Sequence, residues 1–301
     1  MRILALSDTH HPENDLLSLD RGVLEHRPDW IVIAGDMLDA FDEVHLAEYL
    51  SMLARYDQPK LCVLGNHDLW HEQLDTPPLF SRLRQHDWGK HGIHLLNNGP
   101  VMQGSTAFVG TTGWYDYSLY SAARDFPDLH VYTHDDFRNW EDLTRDDCHR
   151  LFVPRNRKRW SDLSESDFAR KVIVIESGSE LQSIHCNDRL YIRWGVSDSE
   201  VSQRFAADLE VQLKQAQDVA DHVIAVLHYL PFRAGVMVTQ DPVQAGFTPY
   251  LGAAGFGDLV CRFSKVKTLI HGHSHTDMVY RVGGITCYSC TATARLIEIE
   301  T

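Results

Sequence analysis

Cysteine is scarce in this 301-residue chain: Cys62, Cys148, Cys186, Cys261, Cys287 and Cys290 are scattered along it. Such spacing builds no disulfide framework, so a reducing cytoplasm is the expected compartment. The close pair Cys287-x-x-Cys290 has no second Cys pair and no adjacent helix signal of a thioredoxin-like site. It reads as two small residues in a late strand. No apolar run approaches the ~20 residues of a membrane-spanning helix, so no membrane association is expected. The stretch from Met1 to Ser7 is too short and too weakly flanked by basic residues for a secretory signal. Basic residues are also in deficit: 28 Lys plus Arg face 42 Asp plus Glu, a formal net charge of −14. A phosphate backbone would be repelled by that balance unless a local basic groove exists, which disfavours nucleic acid as a partner. Hydrophobic residues at 44% and charged residues at 23% exclude a disordered chain. The length allows one large domain or two small ones.

What the chain has in excess is histidine, 18 in all, and the positions of those histidines organise the reading. Five short apolar runs, Ile3–Leu6, Trp30–Ala34, Leu61–Leu64, His222–Leu227 and Val266–Ile270, have the Ile/Val/Leu content of strands buried on both faces. Helical periodicity fills the first two gaps. Leu16, Leu17, Leu19 and Val23 precede Pro28, while Leu46, Tyr49, Leu50 and Leu53 precede Pro59. The opening therefore reads as a βαβαβ unit with a parallel sheet. Between about 93 and 113, short strands at His94–Leu96, Val101–Met102 and Ala107–Val109 are broken by Asn97-Asn98-Gly99 and Gln103-Gly104, which predicts hairpins. From Ser197 to Ala220 the pattern is an amphipathic helix. Ser197 and Glu200 form a capping box, and Val201, Phe205, Leu209, Leu213 and Ala216 make the buried stripe. Ile285–Tyr288 and Arg295–Ile299 return to strand. The least regular part, about 118–196, has too few apolar runs for its own core and reads as an insertion covering or flanking the site of a single domain.

Metal-type side chains cluster at the ends of these runs: Asp8-Thr9-His10, Gly35-Asp36-Met37-Leu38-Asp39, Gly65-Asn66-His67-Asp68, His228 and Gly272-His273-Ser274-His275. Each begins within two residues of the C-terminal end of an expected strand. In an open α/β sheet that edge is where ligands bind, because the strand-to-helix loops converge there. Carboxylate oxygen and neutral imidazole nitrogen suit Zn, Mn or Fe, and thiolates are absent from the set. Asp8 and His10, two apart on an extended segment, would project to one side, and His273 and His275 repeat that spacing. A carboxylate can hold two metals at once, and Asp36, after Gly35 at a tight turn, is the natural bridge. Asn66 would add a neutral carbonyl oxygen. Two divalent metals ~3.5–4 Å apart turn a bridging water into hydroxide near neutral pH and clamp the oxygens of an in-line displacement, which is what phosphoester hydrolysis requires.

In this order the five blocks resemble the calcineurin-like metallophosphoesterase family, whose pattern is D-x-H, G-D-x-x-D, G-N-H-[DE], H, G-H-x-H. The resemblance covers roughly 1–117 and 197–301. It implies a four-layer α/β/β/α sandwich of two mixed sheets and a metal-dependent phosphoric ester hydrolase with a metal-bridging hydroxide nucleophile. It further implies that Asp8, His10, Asp36 and His275 bind one metal and that Asp36, Asn66, His228 and His273 bind the other. By the same resemblance His67 is the catalytic histidine beside the leaving-group oxygen, and Asp39 orients and charges it. A His⁺ held by a carboxylate can protonate a departing alkoxide. Ala40 and Phe41 stand where the protein Ser/Thr phosphatase branch carries an arginine, so the chain is more similar to the bacterial-type phosphohydrolases and phosphodiesterases. The segment Gly113–Ser118 also resembles that branch. The expected substrate is a small phosphomonoester or phosphodiester.

Several features carry ordinary readings. Asp68 stabilises a turn, and His11 points away into solvent. His67 and His71 share helical spacing without the Glu of a metalloprotease motif. Gly252–Gly257 breaks the nucleotide-loop spacing and opens a short helix. The basic cluster Arg150, Arg155, Arg157, Lys158 and Arg159 reads as a solvated part of the insertion, with a hold on a substrate phosphate as the other use. Trp140 and Trp160 help bury the insertion or stack a base. A nuclease of the same fold, or a non-catalytic interaction protein on this scaffold, are the two rival functions.

Overall fold

The computed structural model describes residues 1–119, 130–131, 173–177, 180–184, 187–237 and 242–299. Two mixed sheets form its centre. In the first, β1 (Arg2–Leu6), β2 (Trp30–Ala34), β3 (Lys60–Val63) and β4 (Ile93–Leu95) run parallel in that order. This is the expected βαβαβ opening, with α1 (Leu17–His26) and α2 (Glu43–Leu53) as its crossovers. A third helix, α3 (Thr76–Gln85), leads to β4. The second sheet uses β5 (Val101–Gln103), β6 (Thr106–Thr111), β10 (His222–Leu227), β11 (Val266–His271), β12 (Met278–Val282) and β13 (Ile285–Ser289), in the order β12-β13-β11-β10-β6-β5. The last strand, β14 (Arg295–Glu298), returns to the first sheet and lies antiparallel to β1, pairing Ile3 with Ile297.

Strand alternation divides the side chains between three apolar layers. Leu4, Leu6, Ile31, Ile33 and Cys62 face outward and meet Leu19 of α1, Leu46 and Leu50 of α2, and Leu79 and Leu83 of α3. Ile3, Ala5, Val32, Ala34, Leu61 and Val63 face inward and meet Phe108, Ile224, Val226 and Ile270 of the second sheet. The outer face of that sheet is covered by α5 (Asp198–Val219) and α6 (Ala254–Cys261). The result is the helix–sheet–sheet–helix layering that the resemblance implies. Each fully buried Leu or Ile contributes about 1.5–3 kcal/mol, so both sheets are fixed against sliding. The Ser197 half of the capping box forms, with Ser197 Oγ accepting from the Glu200 amide at 3.2 Å, while the Glu200 carboxylate accepts from Arg204 Nη2 at 2.7 Å. All five residues of the α5 stripe are buried. Cys287 lies within β13 and Cys290 just beyond it; both are buried and free. The segment Gly252–Gly257 leads into α6, the short helix expected there.

One turn differs from its sequence reading. Gln103-Gly104 closes a hairpin between β5 and β6, but Asn97-Asn98-Gly99 does not. There the chain crosses from β4 in the first sheet to β5 in the second. Leu95 faces the helices, while Leu96 turns into the layer between the sheets. Asn97 is buried at the crossing, accepting from the Leu64 amide at 3.0 Å and donating to Thr112 Oγ1 at 3.0 Å. A turn-type residue here ties the ends of β3 and β6 together.

Within the stretch read as an insertion, β7 (130–131), β8 (173–177) and β9 (180–184) form their own antiparallel sheet. A four-residue helix, α4 (Asp188–Tyr191), follows. The basic cluster at 150–159, Trp140 and Trp160 lie outside the described residues. Among the described residues no helix is long and apolar enough to cross a membrane.

Candidate metal centre

The parallel strands of both sheets end at one edge, and hydrogen bonds hold that edge together. Ser7 Oγ donates to the Ala34 carbonyl at 2.9 Å, and the Gly272 amide donates to the His228 carbonyl at 3.0 Å. Pairing continues past the strands, with the Asp8 amide on the Gly35 carbonyl and the His10 amide on the Asp36 carbonyl, both at 3.1 Å. These bonds tie the loops to one another beyond the strand ends.

The side chains do not converge by extended alternation, as the two-residue spacings suggest. Asp8, His10, Asp36, His273 and His275 all sit in the left-handed region, at φ of 55°, 45°, 50°, 68° and 50°. Such conformations cost non-glycine residues about 1–3 kcal/mol each and gather where function requires them. The tight turns aim the side chains into one space. Two glycines make that space available. A Cβ on Gly65 would collide with the carboxylate and backbone of Asp36, and one on Gly272 with Ser7 Oγ.

Among the described residues, two groups of donor atoms with no residue in common result, Asp8, His10 and His275 in one and Asp36, His228 and His273 in the other, and a third, His10, Asp36 and His67, overlaps both; in each, all the donor atoms lie within 4.8 Å of one another. Asp36 stands between them, its Oδ2 3.3 Å from His228 Nε2 and 3.9 Å from His10 Nε2. Asn66 Oδ1 approaches His228 Nε2 at 2.9 Å. His275 is the most open member, its side chain 60% exposed, while Asp8, Asp36, His228 and Asn66 are buried.

The donor chemistry fits divalent metal ions. His228 Nδ1 donates to the Ala34 carbonyl at 2.8 Å, so a neutral ring turns its Nε2 lone pair towards Asn66 Oδ1 and Asp36 Oδ2. Three acceptors converging in a buried space require a cation or an added proton. His273 Nε2 likewise donates to the Tyr250 carbonyl at 3.1 Å, which leaves Nδ1 as its ligating nitrogen. Asp36 Oδ2 and both ring nitrogens of His10 are buried without a hydrogen-bond partner. Buried polar atoms are rarely left so, and cations bound by the two groups would satisfy them. Burial pushes the Asp8 carboxyl up to about 6, with Asp36 adding to the rise, and burial raises Asp36 itself. Burial, with His275 next in effect, lowers His10 to about 4, and burial also lowers His273.

These shifts set a pH dependence. A carboxyl with a raised pKa holds its proton below that pKa, and a metal must displace it. Mn(II) affinity of the metal-free protein is therefore expected to fall as pH drops through 6, by about tenfold per pH unit for each proton displaced. Calorimetric titration in buffers of different ionisation enthalpy counts those protons. An affinity flat across this range would show that Asp8 does not compete.

His67 lies against both groups. Its ring is edge-on to His10, with centroids 4.3 Å apart, and stacked on Trp70 at 3.4 Å. Its amide donates to Asp36 Oδ1 at 2.9 Å. The Asp39 contact differs from expectation: His67 Nδ1 bonds the Asp39 backbone carbonyl at 2.7 Å, while the carboxylate oxygen stays 3.7 Å away. Asp39 therefore orients the ring through its main chain. Asp68 is a loop tie as read from sequence, accepting from the amides of Leu38 at 2.9 Å and Gly65 at 2.8 Å. His11 departs from its solvated reading. Its side chain is only 13% exposed, its Nε2 is 3.4 Å from Glu48 Oε2, and its ring lies against His45 and Tyr49. The tight turn after His10 lays it over α2.

Three residues escaped the motif reading. Asp188, at the start of α4, is buried and accepts from Asn66 Nδ2 at 2.7 Å, Trp70 Nε1 at 2.6 Å and Tyr229 OH at 3.2 Å. Trp70 and Tyr229 each follow a motif residue closely in sequence, which was the available signal. Asp188 had none.

The model of the calcineurin-like phosphoesterase family matches residues 1–277. Among solved structures, a phosphopantetheinyl hydrolase from Mycobacterium tuberculosis superposes with a TM-score of 0.62 at 14% identity, covering 98% of this chain and 95% of its own. A Thermus thermophilus protein follows with a TM-score of 0.51 at 12% identity, covering 97% and 90%. A dimetal phosphatase from Danio rerio has a TM-score of 0.50 at 14% identity, covering 97% and 88%. At these identities the likeness establishes the fold. No curated protein matches the chain. Matched from β1 through the last histidine block, the chain belongs to the calcineurin-like phosphoesterase family.

Proposed function

We propose that this protein hydrolyses a small phosphomonoester or phosphodiester at a pair of divalent cations. The observation that carries the reading is the meeting of His228 Nε2, Asn66 Oδ1 and the unpartnered Asp36 Oδ2 beside a second, equally cation-hungry group. Asp8, His10, Asp36 and His275 would hold one ion, and Asp36, Asn66, His228 and His273 the other, with Mn, Zn or Fe suited to the donor set. Bound there, the ions would supply an activated water and charge neutralisation of the phosphate oxygens. The chain's own residues do the rest. The strained turns hold the donors in position before substrate arrives, so little reorganisation accompanies reaction. His67, its Nδ1 proton fixed on the Asp39 carbonyl, keeps Nε2 free to exchange a proton with the leaving oxygen. The net charge of −14 supports a small phosphorylated substrate over a polynucleotide.

The test is a panel of aryl phosphomonoesters, bis(aryl) phosphate diesters and cyclic nucleotides, each with Mn, Zn, Ni and Mg. Hydrolysis is expected with at least one metal and should fall about 10³-fold or more after chelation, the equivalent of several kcal/mol of lost charge stabilisation. Protein that binds the metals yet hydrolyses none of the esters would favour the non-catalytic scaffold. Cleavage of single-stranded DNA that weakens steeply with salt would favour the nuclease.

A further inference from the structure

We infer that Asp188 is a positioning residue for the metal centre, fixing the amide of Asn66 and the wall behind His67 from a helix that no motif marks. Its carboxylate receives three donors, and each belongs to a residue touching the site. Asn66 Nδ2 donates to Oδ1 at 2.7 Å, and the same amide turns its Oδ1 to His228 Nε2 at 2.9 Å. Trp70 Nε1 donates to Oδ1 at 2.6 Å, and its indole stacks on the His67 ring at 3.4 Å and 28°. Tyr229 OH donates to Oδ2 at 3.2 Å, and its ring lies 4.1 Å from that of His273.

The consequence for Asn66 is chemical. A primary amide offers oxygen from one side and N–H from the other, and only the oxygen can ligate a cation. A carboxylate accepts and cannot donate, so Asp188 selects the orientation in which Nδ2 points to it and Oδ1 points to the centre. Without Asp188 the amide loses that preference and can turn its N–H groups inward. Partners of this kind change metal affinity by about 10–100-fold in other metalloproteins. Asp188 is 122 residues from Asn66 and lies near the C-terminal end of the stretch read as an insertion. A change in that stretch could therefore reach the metal centre through one side chain.

The inference rests on the two-cation reading, so wild-type protein is measured beside each variant. Metal-free protein is titrated with Mn(II) alone and followed by calorimetry and electron paramagnetic resonance. Wild type is expected to bind two ions and show a spin-coupled pair. Binding of one ion or none by wild type would defeat the two-cation reading itself. Asp188→Ala is expected to weaken the second ion about 10–100-fold, leaving the first within a few-fold and converting the coupled signal to an isolated Mn(II) signal. A coupled pair retained at the wild-type Mn(II) concentration, or equal weakening of both ions, would overturn the inference. If the alanine variant does not hold its fold, Asp188→Asn and Asp188→Ser decide. The asparagine oxygen can still accept from Asn66 and Trp70, so that variant should keep the pair, whereas the shorter serine should lose it. Equal behaviour of the two variants, or the reverse order, would overturn the positioning role.

Discussion

Asp36→Asn is expected to abolish metal-dependent ester hydrolysis while leaving the metal-free protein at least as stable as wild type. The substitution is nearly isosteric, and its oxygen can keep the 2.9 Å bond from the His67 amide that Asp36 Oδ1 accepts. Its NH₂ then replaces Oδ2, the atom 3.3 Å from His228 Nε2 and 3.9 Å from His10 Nε2. Because His228 Nδ1 is committed to the Ala34 carbonyl, Nε2 can accept from that NH₂. A buried carboxyl whose ionisation is opposed by burial is thus exchanged for a neutral, satisfied amide, which should stabilise the metal-free fold by roughly 1–3 kcal/mol. The same NH₂ presents protons where cations would lie and removes the one carboxylate that the proposed function assigns to both ions. Activity should fall about 10³-fold or more, exceeding the loss from deleting a single electrostatic donor. Wild type should gain melting temperature on adding Mn(II), and the variant should gain little. Near-normal turnover in the variant would remove Asp36 from the bridging position.

The contrast between Asp36 and Asp188 indicates which parts of such a site are legible in sequence. Asp36 follows Gly35 at the end of an unbroken apolar strand, so type, spacing and place in the fold coincide within seven residues, Trp30 to Asp36. The other blocks behave the same way, and strands β2 and β10 have the bounds their apolar runs suggest. Asp188 opens a four-residue helix, with its partners at Asn66, Trp70 and Tyr229. Nothing local distinguishes it from a surface acid, since its role exists only once distant segments meet. The crossing at Asn97 is hidden for a similar reason. Asn-Asn-Gly has turn chemistry whether the next strand joins the same sheet or the opposite one, and the side to which Leu96 faces decides between them. Asp39 was legible as a neighbour of His67, but which of its oxygens serves depended on backbone geometry. The left-handed turns at Asp8, His10, His273 and His275 are likewise invisible to side-chain spacing.

Those same contacts make His67→Ala the sharper test of chemistry, because it should separate proton transfer from metal binding. In the metal-free protein burial, with His10 beside it, holds the His67 ring down at about 2, so the imidazole is neutral near pH 7. Asp39 helps the protonated form only through a carbonyl at 2.7 Å, since its carboxylate is 3.7 Å away. A standing His⁺ is therefore not built in by the protein's own groups, and the entering phosphate anion is the group that would raise the ring's proton affinity. Removing the ring should lower kcat for an alkyl phosphate by about 10²–10⁴-fold, the usual worth of a placed general acid. A nitrophenyl ester, whose leaving group departs without a proton, should lose far less. Metal stoichiometry should remain as in wild type, because His67 is in neither the Asp8, His10 and His275 group nor the Asp36, His228 and His273 group. His67 can also form a triad with His10 and Asp36, which supplies the competing outcome. If the alanine variant loses one bound ion and both esters slow equally, His67 is a ligand. If only the alkyl ester slows, its role is to protonate the departing oxygen.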